Sequence, residues 1–94
     1  MKKHNMQEIC DFHGIKISMG FDSKIYYNKP HFHVKYNEYY AIICVDGELV
    51  IGELPKKPLR LIQAWAAVNE ENLYEFWNKS IRNEPIGKIR PLKW

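Results

Sequence analysis

Long apolar runs are missing from this 94-residue chain, and no stretch approaches the roughly 20 residues that a membrane-spanning helix needs. The first ten residues, MKKHNMQEIC, are basic but lack an apolar segment behind the charges, so no secretory leader is expected. Cysteine is scarce. Cys10 and Cys44 sit in apolar strand-like runs without CxxC spacing, which reads as two buried free thiols in a reducing compartment rather than a disulfide or a metal knuckle. The cytoplasm is therefore the expected location. Also missing are a GxGxxG fingerprint, a phosphate loop, GxSxG and HExxH, which removes the commonest enzyme classes. No internal repeat or low-complexity tract is present.

What remains is ordinary globular composition: 46% apolar and 27% charged residues, enough for one core and too short for two, so residues 1–94 are expected to form a single domain. The net charge is +3, and the basic residues are dispersed with no run longer than two. Counter-ion release rewards clustered phosphate contacts, so this balance leaves nucleic acid open as a partner without pointing to it.

Periodicity divides the chain into a strand-rich first part and a helical second part. Glu8–Phe12 and Ile15–Met19 alternate apolar and polar residues around His13-Gly14, predicting a first hairpin. Residues 20–30 carry the breakers Asp22, Ser23, Asn28 and Pro30 around an apolar Ile25-Tyr26-Tyr27 patch, predicting a loop with aromatic character. His31–Tyr36 alternates again, with Phe32, Val34 and Tyr36 on one face and His31, His33 and Lys35 on the other. Tyr39–Val45 and Glu48–Ile51 flank Asp46-Gly47, predicting a hairpin closed by a two-residue type I′ turn. That turn would set Val45 opposite Glu48, Cys44 opposite Leu49, Ile43 opposite Val50 and Ile42 opposite Ile51, in two centrally placed strands. From Pro58 onward Leu61, Ile62, Trp65 and Val68, then Leu73, Phe76, Trp77 and Ile81, fall on an amphipathic helical stripe. The stripe stays in phase across Asn69, leaving one long helix or two. Two are favoured, with Asn69 as the cap of the second and Glu70 and Glu71 on its first turn. Pro85 ends the helical region, and residues 86–92 read as an extended tail that adds an edge strand or packs Ile89 and Trp94 on the body. The expected fold is α+β: an antiparallel sheet of four to five strands, one or two amphipathic helices and a short extended C-terminal tail.

The run Pro30-His31-Phe32-His33-Val34, the DGEL and GELP segments at Asp46–Leu49 and Gly52–Pro55, and a Leu-rich helix carrying Trp65 and Trp77 resemble a known family. The chain is similar, from about Ile9 to Leu92, to the small prokaryotic domain-of-unknown-function family numbered 4160. The resemblance implies a short stand-alone protein, encoded beside a second small protein in a gene pair of the toxin–antitoxin kind. Where the family pattern carries a further histidine ahead of the PHFHV run, this chain has Tyr27, followed by Asn28.

His31 and His33 are the one constellation with chemical content, because two imidazoles on one strand face at roughly 6–7 Å spacing can converge on an ion or a substrate. Three readings stay open: hydrogen-bonded polar residues of a sheet face, a two-point metal chelate, or an acid–base pair with Lys35 stabilising a developing anion. A chelate lacks an evident third ligand, Tyr27 replaces the family's extra imidazole and Lys35 repels a cation, so no metal and no cofactor are expected. Tyr27, Asn28, Tyr36, Tyr39 and Glu53 are candidate binding residues around that strand, and Lys56, Lys57 and Arg60 are candidate phosphate contacts. The first expectation is an interaction protein that pairs with its genetic neighbour, with a homodimer left open and no membrane. The alternatives are a small hydrolase or nuclease-like toxin using His31 and His33, and a nucleic-acid-binding protein using Lys2, Lys3, Lys56, Lys57, Arg60 and the Lys88, Arg90 and Lys93 tail.

Overall fold

The computed structural model describes residues 6–20 and 29–91. Five strands, β1 (Gln7–Phe12), β2 (Ile15–Met19), β3 (His31–Tyr36), β4 (Tyr39–Cys44) and β5 (Leu49–Gly52), form one antiparallel sheet in sequence order, followed by α1 (Lys56–Val68) and α2 (Glu70–Ile81). The α+β expectation is met. Among the described residues no helix is long and apolar enough to cross a membrane.

Strand alternation sorts the sheet into two faces. Ile15, Ile17, Phe32, Val34, Ala41 and Ile43 point to the helices, where they meet Ile62, Trp65, Ala66 and Leu73 in a shared core. The Trp65 indole is fully buried, stands edge-on to Phe32 with ring centroids 5.7 Å apart and lies 6.4 Å from Phe12. On β1 a bulge between Glu8 and Cys10 turns both Ile9 and Cys10 into this core, which strict alternation forbids. Burial pushes the Cys10 thiol above its ordinary pKa, which disfavours the reactive thiolate.

The hairpins revise the expected turn chemistry. His13 and Gly14 both have positive φ (54° and 78°), so the type I′ geometry closes the first hairpin. At the Asp46-Gly47 hairpin only Gly47 is positive (φ 102°): the Gly47 N–H donates to the Cys44 carbonyl and the Cys44 N–H to the Glu48 carbonyl, giving a three-residue loop with a glycine bulge instead of the expected type I′ turn. Asp46 stays at negative φ, its Oδ1 accepting from the Glu48 N–H. Ile42 does face Ile51, but Ile43 faces Leu49 rather than Val50 because a second bulge intervenes. The expected central position also holds only in part: β4 is interior, whereas β5 is an edge strand with Ile51 45% exposed.

The helices separate at Asn69, as the favoured reading had it. Pro58, Ile62, Trp65 and Ala66 form the buried stripe of α1, and Leu73, Trp77 and Ser80 that of α2. Val68 and Ile81, assigned to the stripe by periodicity, are exposed, since the buried stripes run through Pro58, Ile62 and Trp65 on α1 and through Leu73, Trp77 and Ser80 on α2 and leave both residues to one side. Asn69 does not cap α2 with its side chain. Its amide donates instead to the Trp65 carbonyl at 2.9 Å, closing the C-terminus of α1. Glu70 and Glu71 occupy the first turn of α2 and Lys79 the last, the arrangement that the helix dipole favours.

The tail packs without becoming a regular strand. The Ile89 N–H donates to the Ile9 carbonyl at 2.8 Å, the Ile86 N–H to Gln7 Oε1, and the Trp65 indole N–H to the Arg90 carbonyl at 3.0 Å, with Ile89 buried. These bonds cover the β1 edge of the sheet. Trp94 and the Ile25-Tyr26-Tyr27 patch lie outside the described residues.

Candidate functional site

On the face turned away from the core, the register brings two rows of side chains together. One row runs Asp11, Lys16, Lys35, Tyr40; the next runs Glu8, Ser18, His33, Ile42, Ile51. They line a cleft of about 290 Å³, formed by Met6, Glu8, Lys16, Ser18, His33, Lys35 and Tyr40 with the edge of Val34. Lys16 and Lys35 are directly opposite one another across β2 and β3, and both are exposed. Like charges in register across an antiparallel pair repel; Asp11, opposite Lys16 on β1, and Glu8 in the cleft offset this from the β1 side, and none of the described cleft-lining residues places a carboxylate on the Lys35 side.

His33 sits at the buried end of this cleft, 5% exposed, and shares a hydrogen bond between its Nδ1 and the Tyr40 hydroxyl. Tyr40, 44% exposed, thus carries the contact from the buried imidazole to the surface. His31, 2% exposed, has a different environment. Its Nδ1 is 2.8 Å from the Lys29 carbonyl, and because a carbonyl only accepts, Nδ1 carries the proton and donates. Its ring lies 4.8 Å from the Trp77 indole and 5.5 Å from the His33 ring. The two histidines are therefore neighbours, as expected from their spacing, but they are buried rather than set on an open sheet face: His31 is wedged between the α2 tryptophan and the strand entry, and only His33 lines the cleft. Replacing Tyr40 by phenylalanine removes the hydroxyl next to a buried imidazole and is expected to lower stability by about 1 kcal/mol in urea unfolding. An unchanged midpoint would show that the hydroxyl makes no net contribution there.

The remaining sequence-predicted residues are dispersed. Tyr36 and Tyr39 stack on each other with centroids 6.4 Å apart. Tyr36 faces a separate groove of about 340 Å³ with His13, Ile15, Lys57, Pro58 and Leu61. Lys56 and Arg60 are exposed on the first turns of α1, away from the cleft. Glu53 follows β5, where its N–H donates to the Tyr40 carbonyl while its side chain is exposed. Tyr27 and Asn28 lie outside the described residues. Lys16 and Ser18 were not singled out in the sequence; pairing the polar face of β2 with that of β3 would have found both.

One further cluster gathers possible ligand atoms. Cys44, Asp46 and Glu48 place theirs within 4.8 Å of one another. An ammonium already serves that cluster, for Lys29 Nζ is 2.7 Å from Asp46 and 3.1 Å from Glu48. Lys29 holds the Asp46 carboxyl below the ordinary carboxylate range, and the same pairing raises the lysine. The stabilisation is present above about pH 4, the unfolded carboxyl value, and disappears as pH falls through the lowered one. The pair is exposed and solvent-screened, so it serves to tie the entry of β3 to the β4–β5 hairpin.

The model of the domain of unknown function DUF4160 matches residues 14–78, more than half of the chain, from the first turn through most of α2. The chain belongs to that family. The matched segment includes β2, β3 and β4, and hence Lys16, Ser18, His33, Lys35 and Tyr40, whereas β1 and the tail fall outside it. No curated protein and no solved structure matches the chain.

Proposed function

We propose that this DUF4160 chain is a small interaction module that engages a second protein through the sheet face opposite its helices. The observation that carries the reading is the cross-strand Lys16–Lys35 pair at the mouth of a cleft floored by His33 and Tyr40. Two lysines held in register favour an acidic group arriving from outside, and a tyrosine anchored to a buried imidazole offers rigid contact area at low entropic cost. The family resemblance supports a partner encoded beside this chain in a toxin–antitoxin-like pair, acting in a prokaryotic cytoplasm.

The test is co-expression with the neighbouring gene's product and light scattering of the purified mixture. A stable complex is expected, and Lys16→Glu with Lys35→Glu is expected to weaken it at least tenfold while the free variant still unfolds cooperatively. No complex, or a complex indifferent to the double reversal, contradicts the reading. The alternative, a hydrolase-like toxin with His33 and Lys35 at the reacting group and His31 behind them, draws support from the His33–Tyr40 bond in the same cleft. Turnover or toxicity abolished by alanine at His31 and His33, in a variant that still folds, would bring that reading forward.

A further inference from the structure

A third concave surface lies between α2 and the tail. Asn72, Phe76 and Lys79 fall four and seven residues along one face of α2, and Lys88 and Arg90 flank the buried Ile89 on the facing tail. Together they line a groove of about 530 Å³, and no carboxylate appears among its described lining residues. Glu75 approaches Lys79 only at the 4.0 Å limit of an ion pair. The tail side is held in place by the Ile89 and Arg90 backbone bonds to Ile9 and Trp65, so the groove exists before any ligand arrives.

Three cations, an amide and a half-buried phenyl ring in one trough match a particular chemistry. Lysine and arginine neutralise phosphates, a phenyl face stacks on a base and an asparagine amide hydrogen-bonds to a base edge. An acidic peptide would use the cations but leave the aromatic face and the amide without a role. We propose that this groove binds a single strand of nucleic acid, with phosphates on Lys79, Lys88 and Arg90 and a base against Phe76. The proposal uses none of the residues of the sheet-face cleft and stands or falls separately from the protein-partner reading. Of the basic residues that the sequence offered, Lys88 and Arg90 line this groove, whereas Lys56, Lys57 and Arg60 lie on α1 and do not.

The experiment is fluorescence anisotropy of the full chain with labelled mixed-sequence 12-mer RNA and DNA single strands, titrated from 50 to 200 mM salt. Three phosphate contacts predict a slope of log affinity on log salt of about −2, a loss of roughly twentyfold across that range. Lys79→Ala, Lys88→Ala and Arg90→Ala combined are expected to weaken binding at least tenfold and flatten the slope. Phe76→Leu should weaken it about threefold with the slope kept, and Lys16→Ala with Lys35→Ala should leave it unchanged. Lys88→Ala alone, at an exposed tail position, gives a smaller loss in the same direction should the triple variant misfold. Absence of binding at 50 mM salt, affinity unaffected by the Lys88 change, or equal or tighter binding of a polyglutamate peptide overturns the proposal.

Discussion

Trp65→Ala is expected to destabilise the domain by about 3–5 kcal/mol, enough to remove a large share of the roughly 5–15 kcal/mol available to a domain of this kind. Three losses coincide. The fully buried indole leaves a cavity between the sheet and α1, Phe32 and Phe12 lose their aromatic partner, and the Arg90 carbonyl loses its donor. Trp65→Phe separates these effects, keeping most of the packing while deleting the indole N–H, at a cost of about 1 kcal/mol for the bond plus a smaller cavity. Urea unfolding of both variants measures the ladder. An alanine variant within about 0.5 kcal/mol of wild type would mean that the sheet and helices do not share the core described.

The second large effect belongs to Gly52. It ends β5 at φ +80°, and a Cβ added there would lie 2.0 Å from the Tyr40 carbonyl oxygen and 3.0 Å from Ala41 Cα, both backbone atoms that cannot swing aside. Gly52→Ala therefore adds left-handed strain of about 1–2 kcal/mol to a forced separation of β4 and β5, and a total of about 3 kcal/mol or more is expected. Gly14→Ala provides the internal comparison. Its φ is +78°, but the nearest atom to the new Cβ is a Tyr36 ring carbon at 4.0 Å, so only the strain applies. Thermal unfolding should place Gly52→Ala well below Gly14→Ala; equal melting points would show that the close approach at Gly52 does not exist. The Tyr40 carbonyl that an added Cβ would meet belongs to the residue whose hydroxyl reaches His33, so Gly52→Ala is expected to disturb the proposed partner surface as well.

Most of the fold was legible from period alone. The strands from Glu8 to Tyr36 alternate and helical spacing begins after Pro55, so a sheet of four to five strands followed by one or two helices is legible, whereas the stripe stays in phase across Asn69 and leaves the break between α1 and α2 open. Turn geometry was less legible. Asp46-Gly47 looks like the stronger type I′ signal, yet His13-Gly14 adopts that geometry, since Lys29 and the Glu48 N–H both engage Asp46 in a conformation with negative φ. Bulges leave no local trace: nothing in Glu8-Ile9-Cys10 announces that two successive apolar residues turn inward, a result settled by the Ile89 N–H reaching the Ile9 carbonyl 80 residues away.

The candidate site was half legible. Spacing alone placed His33 and Lys35 on one face, but their neighbours come from β2 and β4, and only the register of β2 against β3 sets Lys16 opposite Lys35 and Ser18 opposite His33. The burial of His31 was hidden for the same reason, since it depends on Trp77, 46 residues further along the chain. Likewise the α2 groove needs the tail to fold back along the helix, which no local pattern encodes.

The central claim is that this chain meets its protein partner on the sheet face opposite the helices. Amide hydrogen exchange of the chain, alone and in complex with the neighbouring gene's product, tests it in one measurement. Slowed exchange is expected across 16–18, 33–35 and 39–41, with α1 and α2 unchanged. Protection confined to the helices, with those three strand segments exchanging as they do in the free protein, would contradict it.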